Sequence, residues 1–189
     1  MGRSLQVEFG AITSDNVEQL RKVNTVSFPV TYNEGFYQDV VKRNNEHLNK
    51  FAYYNGFVVG AVCTRIEPIK AGDNHAPPTA VDVEAPLTGQ HRLYIMTLAV
   101  LAAYRGRGIG AQLIQSVLDY CDAINDGTAS TEKNVVPKRI DEIALHVQIS
   151  NEDAIRFYTH KFGFEKGDMV ENYYRRIDPP HCYILSKKL

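Results

Sequence analysis

The sequence predicts a single α/β domain built on a mixed sheet, and three observations carry that prediction. Two β-rich runs, residues 51–54 and 57–66, are joined by Asn55-Gly56, a dipeptide favoured in two-residue hairpin turns. The apolar run Leu93-Tyr94-Ile95-Met96-Thr97-Leu98-Ala99-Val100-Leu101 leads through a glycine-rich turn into a helical pattern. Residues 140–149 alternate Ile143, Leu145, Val147 and Ile149 on one face and precede a second helical stretch. At 189 residues the chain is long enough for one real core.

The elements follow in order. Residues 6–12 read as a first strand. Ser14 and Asp15 are capping residues, Glu18 stands three after Asp15, and Val17, Leu20, Val23 and Val26 continue at helical spacing. Pro29 ends that helix by disfavouring the helical region for Phe28. A short second helix is predicted over residues 33–44, and the hairpin comes next. Residues 67–90 are polar, carry Pro77-Pro78 and show little periodicity, which predicts a flexible insertion. The helix after the glycine-rich turn sets Ile109, Leu113, Val117 and Cys121 on one stripe, widened by Ile114 and Leu118. Residues 126–138, with Gly127-Thr128-Ala129-Ser130-Thr131, predict a second flexible insertion. Ser150 is the expected cap of the last helix and Gly163 its left-handed end. Strands over residues 165–170 and 181–187 complete the sheet.

Composition excludes several classes. Lys and Arg number 21 against 22 Asp and Glu, so the chain lacks the basic footprint of a general nucleic-acid binder. No apolar run approaches the roughly 20 residues needed to span a bilayer. No apolar signal-peptide core follows Met1, and Gln6 stands where a myristoylation motif at Gly2 needs Ser or Thr. Cys63, Cys121 and Cys182 are widely spaced, sit in apolar runs and lack metal-ligand spacing. They are expected to be reduced, buried and structural, in a cytoplasmic or nuclear protein that holds no metal.

The chemistry begins at Tyr104-Arg105-Gly106-Arg107-Gly108-Ile109-Gly110-Ala111. Glycines ahead of a helix let backbone N–H groups approach an anion, and the helix start adds about half a positive charge. The spacing Arg105-x-x-Gly108-x-Gly110 therefore reads as a pyrophosphate cradle. It is neither the three-glycine dinucleotide fingerprint nor a P-loop, which closes with Gly-Lys-Ser/Thr. An ordinary turn fits the same spacing, so the cradle alone leaves the ligand open.

Further segments narrow it. They are Phe28-Pro29-Val30 with Tyr32, Arg92-Leu93-Tyr94-Ile95-Met96-Thr97-Leu98, and Leu145-His146-Val147-Gln148-Ile149-Ser150-Asn151-Glu152. After these come Ala154-Ile155, Phe157-Tyr158, Lys161-Phe162-Gly163-Phe164, Asn172-Tyr173-Tyr174 and Arg176-Ile177. In this order they resemble the GCN5-related N-acetyltransferase superfamily, and within it the catalytic subunit of the NatE-type N-terminal acetyltransferase family. The resemblance runs from about Val7 to Leu189 and implies a mostly antiparallel central sheet flanked by helices. It implies transfer of the acetyl group of acetyl-CoA to the N-terminal α-amine of peptides and nascent chains, Met first and an apolar residue second. Implied partners are a large auxiliary subunit and a second acetyltransferase subunit on the ribosome, with neither nucleic acid nor membrane. The other readings are a lysine acetyltransferase and a non-catalytic scaffold subunit.

Attack of an amine on a thioester requires a neutral amine, and an α-amino group with a pKa near 8 is only about a tenth to a fifth neutral at pH 7. A histidine is the natural base. By residue type alone His146 is a packing histidine or that base, and Tyr94 a packing tyrosine. The resemblance implies that Tyr94 and His146 hold a catalytic water between them. Helical spacing sets the Tyr158 ring on a stripe with Ile155 and Phe162, and the resemblance implies that its hydroxyl reaches the CoA sulfur. It assigns the cofactor to backbone groups of Leu98, Ala99 and Val100, to Arg105, Gly106, Arg107, Gly108, Ile109, Gly110 and Ala111, and to Asn151. Substrate recognition falls to Phe28, Pro29, Val30 and Tyr32, to Tyr94, Met96 and His146, and to Tyr173, Tyr174 and Ile177. Apolar walls suit a Met side chain, and tyrosine hydroxyls can bond a peptide backbone.

Overall fold

A computed structural model describes residues 4–43, 45–69, 89–129 and 136–189. Most of the two expected insertions, residues 70–88 and 130–135, lies outside the described residues, as does Gly2. The strands are β1 (Glu8–Ala11), β2 (Lys50–Tyr54), β3 (Phe57–Pro68), β4 (His91–Val100), β5 (Glu142–Gln148), β6 (Glu165–Val170) and β7 (Cys182–Lys188). They form a seven-stranded sheet in the order β1-β2-β3-β4-β5-β7-β6. The helices are α1 (Val17–Ser27), α2 (Glu34–Arg43), α3 (Ile109–Asn125) and α4 (Glu152–Arg156). The expected insertion at residue 67 starts later, because β3 continues through Glu67 to Pro68.

The structure divides into two compact units. The first comprises Met1–Arg65 and Ile95–Val136. Its helix α1 starts one residue later than the Ser14/Asp15 cap predicts. Asn16 occupies the cap position and turns its amide backward, accepting from the Thr13 N–H at 2.8 Å and donating to the Ala11 carbonyl at 3.0 Å. The amide offers a donor and an acceptor together, so it ties β1 to the helix where an ionised carboxylate, an acceptor only, could not. Phe28 ends α1 in an extended conformation, as the following proline requires. Asn33 caps α2, its Oδ1 accepting from the Phe36 N–H at 3.0 Å. Asn55 and Gly56 have φ of 50° and 78°, the left-handed pair that a two-residue hairpin needs. The core joins Ile12, Leu20, Tyr37, Val40, Phe51, Ala61 and Cys63, with Leu113, Ile114 and Val117 of α3 also fully buried. Lys50 is buried too: its Nζ donates to Ser116 Oγ at 3.0 Å and lies over the Phe9 ring, and burial lowers its pKa to about 8.

The second unit comprises Ile66–Tyr94 and Pro137–Leu189. Here β4 pairs in parallel with β5, Tyr94 standing opposite Ala144, and β5 pairs antiparallel with β7, His146 opposite Ile184. A buried ion pair bridges the first of these ladders, Arg92 Nε to Glu142 Oε2 at 3.4 Å, and Lys188 Nζ reaches Glu142 Oε1 at 3.2 Å. Asn151, not Ser150, caps α4, its Oδ1 accepting from the Ala154 N–H at 3.1 Å. The last helix is not uniform. After α4 it widens to a π-turn over Phe157–Lys161, which turns Tyr158 and Phe162 inward. Gly163 ends it at φ 70°, the left-handed stop that the sequence predicts. All three cysteines are free and buried, with thiols pushed up to about 12 (Cys63), 12 (Cys121) and 11 (Cys182) by desolvation.

Candidate active site

In the second unit, parallel pairing puts Tyr94 and His146 on the same face, two residues apart in register. Their side chains meet directly: Tyr94 Oη is 3.0 Å from His146 Nδ1, leaving no room for a water in the line between them. Tyr173, in the loop after β6, stacks on the imidazole with ring centroids 4.4 Å apart and planes 11° off parallel. Its hydroxyl is 3.5 Å from Tyr94 Oη, and Tyr174 packs edge-on against Tyr173. The loop is held in shape by backbone and side-chain bonds, the Tyr174 N–H to the Pro180 carbonyl at 2.8 Å and Gln148 Nε2 to the Pro179 carbonyl at 2.9 Å. Tyr173 and Tyr174 lie in the loop between β6 and β7, and half-buried Ile177 belongs to the same loop.

Burial drives the Tyr94 phenol well above its usual value, and Tyr173, Tyr174 and Glu67 add to the shift. Tyr94 is therefore a proton donor at neutral pH and no base by itself. Tyr158 shares that character: its ring packs edge-on against Phe157 and Phe164, and desolvation raises its phenol. Asn151 spends its carbonyl oxygen on the α4 cap.

The first unit holds the glycine-rich turn. Gly106 and Gly108 have φ of 71° and 79°, a region that other residues enter only with strain, and Gly108 is the residue that caps α3. No side chain caps this helix and no acid sits in its first turn. Among the described residues, its first N–H groups thus have neither a side-chain cap nor a first-turn carboxylate, an arrangement that suits an anion. Arg105 folds back, its Nε donating to the Val100 carbonyl at 2.9 Å, while Arg107 is exposed and Ile109 is buried in the core. Half-buried Gly110 and Ala111 form the first turn of α3. Ala99 is buried, and Leu98 and Val100 are half-buried. Phe28 packs edge-on against Tyr32, and Tyr32 and Met96 pack on the core; Pro29 is exposed and Val30 half-buried.

Two residues near these groups escaped the sequence reading. Glu67 is a buried strand residue whose charge reaches Tyr94, yet it opens a polar stretch that reads as loop. Gly60 lies inside β3, where an added Cβ would come 2.7 Å from the Ala99 carbonyl oxygen. A glycine within a strand pattern is the available signal for such a close approach.

Comparison with known proteins agrees with this geometry. The pattern of the acetyltransferase (GNAT) family matches residues 17–136. N-alpha-acetyltransferase 50 of Danio rerio is 42% identical over 184 residues, covering 97% of this chain and 89% of that one. The probable N-acetyltransferase san of Drosophila melanogaster is 42% identical over 183 residues, covering 97% and 81%. The structure of Arabidopsis thaliana Naa50 in complex with the bisubstrate analogue CoA-Ac-MVNAL superposes with a TM-score of 0.73 at 40% identity, covering 98% of this chain and 100% of that one. The chain belongs to the acetyltransferase (GNAT) family, among relatives of the N-alpha-acetyltransferase 50 type.

Proposed function

We propose that the chain is a single-domain N-terminal α-amino acetyltransferase that uses acetyl-CoA and prefers peptides and nascent chains beginning with Met and an apolar residue. One observation carries the reading: the half-buried Tyr94 has its hydroxyl 3.0 Å from His146 Nδ1, a donor–acceptor pair that can take up an amine proton. The Arabidopsis relative with its analogue CoA-Ac-MVNAL supports both the co-substrate and a peptide opening with Met and Val.

Acetyl-CoA supplies an activated acetyl thioester. The uncapped start of α3, with Gly106 and Gly108, suits its pyrophosphate. Asn151 keeps its amide nitrogen for the same ligand, and backbone N–H groups of Leu98, Ala99 and Val100 polarise the acetyl carbonyl. As the amine attacks that carbonyl, a water beside Tyr94 takes its proton. Tyr94 accepts a proton at Oη from the water while passing its own to His146 Nδ1, so phenolate never forms and the imidazole ends protonated. Tyr158, held protonated by burial, gives its proton to the sulfur as the carbon–sulfur bond breaks. Exchange with solvent restores both groups. Phe28, Pro29, Val30, Tyr32 and Met96 offer the first-residue side chain apolar surface, and Tyr173, Tyr174 and Ile177 bind the peptide. A large auxiliary subunit and a second acetyltransferase subunit on the ribosome complete the proposal, which places the enzyme in the cytoplasm.

A panel of Met-Leu, Ser-Glu and N-terminally blocked lysine peptides tests it with acetyl-CoA. The Met-Leu peptide is acetylated fastest, at its α-amine by mass spectrometry. Faster transfer to lysine points to the lysine acetyltransferase reading, and no transfer to any peptide points to a scaffold.

A further inference from the structure

The glycine-rich turn is held by a part of the chain that the mechanism does not use. Residues 4 and 5 lie against it. The Leu5 N–H donates to the Arg107 carbonyl at 3.1 Å, and the Leu5 carbonyl accepts from Gln112 Nε2 on α3 at 2.6 Å. A Cβ at Gly108 would stand 2.8 Å from Ser4 Oγ. Gly108 is thus required twice over, by its φ of 79° and by the segment that covers it.

The Arg107 carbonyl and the Gly108 N–H belong to one peptide plane. That plane is rigid and trans, so its N–H points away from its oxygen. A donor fixed on the Arg107 oxygen therefore fixes the direction of the Gly108 N–H, on the side turned away from residue 5. The same bond polarises the peptide and makes that N–H a better donor. Gln112 anchors the strap to α3 itself, so the turn and the first helical N–H groups are held in one frame.

We propose that Ser4 and Leu5, clamped by Gln112, are a positioning strap that aims the Gly108 N–H at the pyrophosphate of acetyl-CoA. This rests on the reading of the turn as the acetyl-CoA cradle. The segment acts through its backbone, so it carries no motif of its own.

Steady-state kinetics and calorimetry on the full chain test the strap. Leu5→Pro removes the donor, and its acetyl-CoA Kd and KM rise about fivefold to twentyfold while kcat at saturation stays within about twofold. Leu5→Ala keeps the N–H and restores affinity. Gly108→Ala weakens acetyl-CoA binding, and less so when Ser4→Gly removes the atom it would strike, a coupling readable even if Leu5→Pro fails to fold. The strap is overturned if Leu5→Pro binds acetyl-CoA normally, if Leu5→Ala is equally impaired, or if Gly108→Ala loses the same affinity in both backgrounds. Gly110→Glu, which puts a carboxylate in the first turn of α3, separates the two ideas. Normal binding in that variant defeats the cradle reading, whereas lost binding there with normal strap variants defeats the strap alone.

Discussion

In the unit that carries Tyr94 and His146, the candidate site atoms belong to side chains. In the unit that carries Gly106 and Gly108, they belong to the backbone. The first region is built by packing: the Tyr94 hydroxyl is 3.0 Å from the His146 imidazole and 3.5 Å from the Tyr173 hydroxyl, Tyr173 stacks on the imidazole, and desolvation raises the Tyr94 phenol. The second is built by omission, with two residues lacking side chains and a helix start lacking a cap. A side-chain site loses its chemistry when an atom is deleted, and a backbone site loses its ligand when an atom is added. Turnover and cofactor affinity should therefore separate cleanly between the two regions.

His146→Ala is the severest break. The proton acceptor is gone and kcat falls by about 10² to 10⁴, while acetyl-CoA binds by calorimetry as before; near-normal turnover would remove His146 from the mechanism. Gly108→Glu reverses the pattern. Left-handed strain, the collision with Ser4 and a carboxylate at the helix start together weaken acetyl-CoA by about a hundredfold, and binding close to that of the parent protein would refute the cradle.

Tyr94→Phe sharpens the side-chain half. It deletes the relay and leaves the imidazole, so kcat drops about tenfold to a hundredfold. The parent phenol stays protonated far above neutral pH, so no limb of the pH–rate profile between about pH 6 and 9 belongs to it. Those limbs keep their positions in the variant, and a limb that vanishes would make Tyr94 the titrating group.

The smallest effect concerns stability alone. Below pH 8 folding buries the charged Lys50 amine that the unfolded chain keeps hydrated, so the cost is fully present. Between about 8 and the usual 10.5 the folded chain has released a proton that the unfolded chain still holds, and the cost fades as pH rises. Lys50→Met accordingly raises the Tm at pH 7 by about 2–4 °C, and the gain shrinks by pH 10. A gain that ignores pH would show that Lys50 is not desolvated.

Much of the fold was legible because its signals are local. Asn55-Gly56, Phe28-Pro29 and Gly163 each specify a backbone conformation, and each adopts it. What escaped depends on partners distant in sequence. Asn16 serves as cap because β1 ends within reach of its amide, and Glu67 reads as loop until its burial is known. The π-turn over Phe157–Lys161 is a local widening of the helix that regular helical spacing does not signal. Within the candidate site, residue type alone leaves Tyr94 and His146 open to a packing role; their direct contact depends on the parallel register that brings residue 94 opposite 144.

The buried pair of Arg92 and Glu142 has a consequence for how this sequence can change over time. Their side chains are 3% and 4% exposed, so losing Arg92 leaves buried Glu142 with exposed Lys188 in place of its buried partner, and losing Glu142 takes a carboxylate from a buried guanidinium. Breaking a buried pair costs up to about 3–5 kcal/mol. Replacing both with well-packed apolar residues is often neutral. Every single-substitution route between those two tolerable sequences crosses a damaged intermediate. Descendants of this chain are therefore expected to keep the pair or lose it as a unit, and the strands beneath Tyr94 and His146 inherit that inertia.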